Sequence, residues 1–116
     1  MNILICEDDA DILDLLEIII TSMGGNSIQS CDKESLFNKL KEETADLIIL
    51  DYWLKKKRAD NILVKLHEEY KQIPIILMSA VSDLQDIAEK FKVEDYIKKP
   101  FNIEDLKEKI TKNLKI

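Results

Sequence analysis

The chain is poor in the residues on which many functions depend. Its 116 residues include two cysteines, two glycines, two prolines, one histidine and one tryptophan. Cys6 and Cys31 close the apolar stretches ILIC and SIQSC, with no second cysteine pair and no nearby histidine to complete a metal site. Both read as reduced, buried, small hydrophobes. No apolar run approaches the roughly 20 residues that span a bilayer. The opening MNILICEDDADIL has no basic region and meets acids from residue 7 onward, which is not the pattern of a secretory leader. Positive charge is in deficit too, with 17 Lys and Arg against 23 Asp and Glu for a net charge of -6. A pI near 4.8 argues against broad binding to nucleic acid or anionic membrane, which needs a basic face. Linkers, repeats and low-complexity segments are missing. The expectation is one cytoplasmic domain over residues 1–116, large enough to bury about two-thirds of its unfolded surface.

What is present is alternation. Ile3-Leu4-Ile5-Cys6 reads as a strand, followed by a helix whose face is Ile12, Leu15, Leu16, Ile19 and Ile20, and Gly24-Gly25 stops it. A weaker strand near Ser27 to Cys31 leads to a helix through Leu36, Phe37 and Leu40, capped by Asp32. Leu47 to Leu50 is the third strand, and Ile62, Leu63, Leu66 and Tyr70 mark the third helix, with Tyr70 at the edge of the core. Pro74 opens the fourth strand, Ile75 to Met78. Ser82 with Gln85 resembles a capping box for a helix through Leu84, Ile87, Ala88 and Phe91. A short fifth strand around Asp95 to Lys98 ends at Pro100. Asn102 then caps a last helix carrying Ile103, Leu106, Ile110 and Leu114. Five strands each followed by a helix predict a doubly wound α/β fold, a parallel sheet covered on both faces. Ligands of such sheets bind beyond the carboxyl ends of the strands.

The residues just past each strand are therefore the informative ones. Strand one runs into Glu7-Asp8-Asp9, strand three into Asp51, strand four into Ser79-Ala80 and strand five into Lys98-Lys99-Pro100. Carboxylates crowded on one rim repel each other, a cost tolerated when a divalent cation sits among them. Oxygen-only donors that are few in number suit Mg2+, which keeps several waters. A hydroxyl and an ammonium alongside complete a site for a doubly charged phosphoryl group.

These residues in this order, quoted as ILICEDD, LIILDYWL, ILMSA and DYIKKPF, resemble the receiver domain of two-component response regulators, chemotaxis-regulator-like, over the whole chain. The resemblance implies a flavodoxin-like sheet of five parallel strands, order 2-1-3-4-5, with five helices. It implies Asp51 as phosphoacceptor, Asp8 as a direct Mg2+ ligand, Glu7 as a ligand through water, and the carbonyl of Trp53 as a further ligand. Ser79 would bond the phosphoryl group, Lys99 would pair with it, and Tyr96 would be the switch that remodels the face made by helix four, strand five and helix five. The donor would be a sensor histidine kinase, a phosphotransfer protein or a small acyl phosphate. The domain would catalyse its own phosphorylation and dephosphorylation and would not be an enzyme in the metabolic sense.

The sequence departs from that family in places. Lys55 stands where a proline is usual, Ala59 and Lys92 where glycines are usual, and Trp53 is large for a position flanking the site, where it would shield the phosphoryl group from water. Lys55-Lys56-Lys57-Arg58 reads as a solvated loop balancing nearby acids, the alternative being attraction of acidic partners. His67 reads as a surface residue, and Asp9 and Asp11 as first-turn acids.

Competing functions are a degenerate receiver that binds proteins without phosphotransfer, a Mg2+-dependent phosphatase and a flavin carrier. The phosphatase needs a second acid where Trp53 stands, and the flavin carrier needs a hydroxyl- and glycine-rich loop where this chain has three acids. The expected state is a monomer with no direct nucleic-acid contact and no membrane contact. The downstream target is unreadable, and the chain is either a free-standing regulator or a piece of a longer one.

Overall fold

In the computed structural model, which describes residues 1–115, seven strands and five helices follow one another along the chain. They are β1 (Asn2–Cys6), α1 (Ala10–Ser22), β2 (Asn26–Ser30), α2 (Lys33–Glu42), β3 (Leu47–Asp51), β4 (Trp53–Leu54) and β5 (Lys57–Arg58). Then come α3 (Asp60–Glu69), β6 (Ile75–Ser79), α4 (Leu84–Lys90), β7 (Asp95–Lys98) and α5 (Ile103–Leu114). Five strands form one parallel sheet, ordered β2-β1-β3-β6-β7, which is the expected 2-1-3-4-5 order of the doubly wound fold. The remaining two strands, β4 and β5, form a separate antiparallel hairpin that the sequence reading treated as loop.

Position in the sheet explains the sequence pattern. The central strands β3 and β6 are buried at every residue, so Leu47 to Leu50 and Ile75 to Met78 are continuous apolar runs. The edge strands β2 and β7 alternate between buried and exposed, which is why they read as weaker. Successive side chains leave opposite faces of the sheet. Leu4, Ile48, Leu50 and Leu77 pack with Leu36 and Phe37 of α2, Leu63 and Leu66 of α3, and Leu84 of α4. Ile3, Ile5, Ile49 and Ile76 pack with Leu16, Ile19 and Ile20 of α1 and with Leu106 and Ile110 of α5. Each fully buried Leu or Ile contributes ~1.5–3 kcal/mol, so two such layers fix the register firmly.

Most helix ends follow the reading, with two differences. Asp32 caps α2 and shares a reciprocal capping box with Ser35, while Asn102 caps α5 through Glu104 N–H at 2.8 Å. Asp9 is itself the cap of α1, accepting from Asp11 N–H at 2.9 Å, rather than a residue of the first turn. The expected Ser82–Gln85 box does not form, because α4 starts only at Leu84 and its cap position is Asp83, which makes no side-chain cap bond. Cys6 is buried as expected, and burial pushes its thiol up to about 12. Cys31 is exposed, contrary to expectation, because it lies just past β2 where the chain has left the sheet. His67 is on the surface, and Tyr70 and Phe91 sit at the core edge.

Candidate functional site

Register brings the sequence-selected acids together. Cys6 lies opposite Leu50, so Glu7 and Asp51 emerge side by side from β1 and β3. Asp51 pairs with Met78, and Tyr52 N–H donates to the Met78 carbonyl at 2.9 Å, which leads β6 out beside the Asp51 carboxylate with Ser79 at its end. Ser79 lies opposite Lys98, and Lys99 N–H donates to the Ser79 carbonyl at 2.9 Å. Four strand ends thus converge on one rim because their apolar bodies are locked in the sheet.

At that rim the Glu7, Asp8 and Asp51 carboxylates each offer an oxygen within 4.8 Å of the others. Glu7 is 1% exposed and Asp51 is 5% exposed, an unusual depth for acids. The Lys99 ammonium stands between two of them, 2.7 Å from Glu7 Oε2 and 3.3 Å from Asp51 Oδ2. Burial is the main force on Glu7 and pushes its carboxyl up to about 7; the Lys99 bond opposes this and the Asp51 charge adds to it. For Lys99, burial alone would lower the pKa, but the Glu7 bond and the Asp51 charge outweigh it and raise it, so the lysine stays charged. The second oxygen of Asp51 accepts Trp53 N–H at 3.1 Å. Ser79 is buried, and its hydroxyl oxygen accepts Val81 N–H at 3.4 Å.

In front of Asp51 lies an open cavity of about 380 Å³ lined by Trp53, Ser79, Ala80, Val81 and Lys99. Trp53 forms one wall and remains 39% exposed, with its ring edge-on to Tyr52 at 6.2 Å. Three close carboxylate oxygens, hard donors facing a chamber with an ammonium and a hydroxyl, form a donor set that fits Mg2+. Tyr96 is not part of this pocket. It is half-buried on the α4 side of the sheet, with the Lys109 ammonium 5.7 Å from its ring centroid.

The model of the response regulator receiver domain matches residues 3–111. The chain belongs to that family. This receiver domain is accordingly a component of two-component signalling. It is 32% identical over 108 residues to the transcriptional regulatory protein RprY of Bacteroides fragilis, covering 91% of this chain and 46% of that one. It is 31% identical over 111 residues to the probable transcriptional regulator ycf27 of Porphyridium aerugineum, covering 94% and 46% respectively. The chain spans about half the length of these curated relatives. Its fold superposes on a two-component response regulator from Clostridium difficile with a TM-score of 0.90 at 26% identity, covering 99% and 96% of the two chains. A CheY-like receiver from Methanospirillum hungatei gives 0.89 at 27% identity, covering 98% and 93%. Among the described residues no helix is long and apolar enough to cross a membrane.

One contact of the receiver site has no signal in the sequence. Lys55 donates its backbone N–H to Asp8 Oδ2 at 2.8 Å, and its ammonium reaches Asp32 Oδ2 at 3.3 Å. Lys55 (φ 50°) and Lys56 (φ 63°) occupy the left-handed region in the turn between β4 and β5. Two-residue hairpin turns of this kind normally recruit Asn and Gly, so a run of lysines hides the turn. Lys92 also adopts a left-handed conformation, φ 56°, at the position where the resemblance leads one to expect glycine.

Proposed function

We propose that this receiver domain takes a phosphoryl group onto Asp51 in a Mg2+-dependent transfer from a phosphohistidine on a sensor histidine kinase or phosphotransfer protein. What carries the reading is the set of three carboxylate oxygens within 4.8 Å of one another with the Lys99 ammonium among them. An Asp51 oxygen attacks phosphorus as the bond to the imidazole nitrogen breaks, and the histidine leaves with the electron pair. The product is an aspartyl phosphate, which water later hydrolyses to phosphate and the free acid.

The difficulty is electrostatic, since an anion must approach an anion. Bound Mg2+ would offset charge on the transferring oxygens, held by Asp8, Asp51, the Trp53 carbonyl and, through water, Glu7. Lys99 keeps its proton and exchanges its Asp51 partner for a phosphoryl oxygen. Ser79 donates its hydroxyl to another. Trp53 covers the open side of the cavity and slows attack by water. Output would run through Tyr96, which turns further inward as Ser79 is drawn to the phosphoryl group, reshaping the face of α4, β7 and α5. We read residues 1–116 as one unit of this kind, working in the cytoplasm as a monomer.

Acetyl phosphate with Mg2+ should add one phosphate to the intact protein by mass spectrometry, and Asp51→Asn should add none. Labelling of the Asp51→Asn protein at the wild-type rate would move the acceptor elsewhere. No labelling of the wild type by any donor would leave a binding module in place of a phosphoacceptor.

A further inference from the structure

The four consecutive cations at residues 55–58 take no part in the chemistry at Asp51, and their placement gives them a different use. The β4–β5 hairpin turns Lys55 and Lys57 toward α2 and α3, while Arg58 pairs across the hairpin with Trp53, its guanidinium 5.9 Å from that ring. There Lys55, Lys57 and Arg58 meet Lys33 of the first turn of α2 around a cavity of about 350 Å³. Its floor is apolar, made by Leu54 of β4 and Ile62 of α3. Asp32 is the one acid in the lining, and both its oxygens are committed, one to Ser35 N–H at 2.8 Å and the other to the Lys55 ammonium at 3.3 Å. Among the described residues Lys33, Lys57 and Arg58 have no carboxylate within ion-pair distance.

A local concentration of unpaired positive charge on a chain of net charge -6 is complementary to an anion. The apolar floor asks for something more than an inorganic ion. From the charge of the rim and the chemistry of the floor, we infer that this groove docks an acidic peptide segment of a partner protein, with one apolar side chain seated on Leu54 and Ile62 and carboxylates paired with Lys33 and Lys57. A nucleic acid fits less well. No aromatic ring lines the groove for a base to stack on. The docking is independent of phosphotransfer, although Lys55 belongs both to the groove and to the support of Asp8.

The test is fluorescence anisotropy with a short fluorescein-labelled peptide of glutamates around a single leucine. The wild-type protein should bind it in a salt-sensitive manner. The exposed pair K33E/K57E should bind roughly tenfold or more weakly. K41E/K71E, which changes charge equally near the end of α2 and in the turn after α3, should stay within about twofold. Circular dichroism verifies that both variants fold. Equal losses in the two variants, equal affinity for a leucine-free peptide, tighter binding of an oligothymidylate, or no binding at all would each overturn the groove as an acidic-peptide site. Acetyl-phosphate labelling of Asp51 in K33E/K57E should match wild type. Absence of labelling in both proteins, with the wild type still binding the peptide and K33E/K57E weakened, would defeat the phosphoacceptor reading and leave the docking site standing.

Discussion

Asp51 and Lys55 lie within one short stretch of chain, yet the sheet places the first and a turn places the second. Asp51 is the last residue of a strand buried along its whole length, and its neighbours Glu7, Ser79 and Lys99 stand at the ends of other strands in the same ladder. A one-residue slip would turn a whole apolar face outward, so the acids are fixed by tens of buried contacts that have nothing to do with acidity. Lys55 is held by two left-handed lysines, a two-rung hairpin and one hydrogen bond to Asp8. Chemistry that must be accurate rests on the sheet. The adjacent cationic surface rests on a turn, where a substitution at Lys57 changes the outline without touching the strand-end acids.

The largest effect should come from removing the cation of the sheet-borne site. Lys99→Ala is expected to slow phosphorylation by acetyl phosphate about 10²–10³-fold, while K33E/K57E leaves the rate unchanged. A Lys99→Ala protein labelled at the wild-type rate would mean that the ammonium beside Asp51 is a structural counter-ion only.

Next in size is the pH dependence of Mg2+ binding. Glu7 has its carboxyl raised to about 7 from 4.5, chiefly by burial. The folded protein therefore holds this proton more tightly than the unfolded chain does. In metal-free buffer the protein loses stability as the pH rises from 4.5 through about 7, because an anion is being forced on a buried group. Mg2+ prefers that anion, so its affinity should climb as the pH passes upward through about 7. Below that point it should fall roughly tenfold per pH unit for a single competing proton. Titrations followed by Trp53 emission give the profile, and Glu7→Gln should flatten it. A wild-type profile that is flat across the same range would remove Glu7 from the metal site.

On the opposite edge, β7 is fastened to α5 by a buried acid. Asp95 accepts the Lys109 ammonium at 3.0 Å, Asn113 Nδ2–H at 3.1 Å and Tyr96 N–H at 2.9 Å. Burial alone would raise its pKa, but these three partners outweigh it and hold the carboxyl below the usual aspartate value of 3.8. The sign follows directly: the network stabilises the fold above pH 3.8, and the contribution disappears as acid carries the pH down through the depressed folded value. Lys109→Met is expected to cost about 1–3 kcal/mol at neutral pH, read from urea unfolding, with less of that cost remaining in acid. An equal loss at every pH would assign the effect to packing of the lysine stem.

The sheet order, the positions of the strand ends and the acidic rim were all legible, because burial on both faces forces continuous apolar strands and the charged exceptions stand out against them. Asp32 and Asn102 were legible as caps for the same kind of reason, a polar residue immediately before an amphipathic run. What escaped notice depends on backbone geometry. The Lys55 N–H on Asp8 has no side-chain signature, and the hairpin hides behind lysines in positions that ordinarily go to Asn or Gly. The start of α4 was misplaced because Ser82 and Gln85 have the right spacing for a box but stand too early. Cys31 reads as buried because it ends a strand-like run, although the strand stops at Ser30 and leaves it exposed.

The smallest effect tests the turn itself. With Leu54 paired to Lys57, only Lys55 and Lys56 remain in the loop, and both have positive φ, the requirement of a type I′ turn. An L side chain in that region costs about 1–2 kcal/mol, and glycine avoids the cost but loses ~0.5–1 kcal/mol through its freer unfolded chain. Lys56→Gly should therefore leave stability unchanged or raise it by up to about 1.5 kcal/mol. Lys56→Val introduces a β-branched side chain that tolerates this conformation poorly, and should lower stability. Lys56 lies outside both the acidic cluster and the cationic groove, so the pair reports on backbone conformation alone. Urea midpoints that rank valine at or above glycine would show that the chain turns here in some other way. The support that Lys55 gives to Asp8 would then have to be redrawn, while Asp51, held by the sheet, would keep its place.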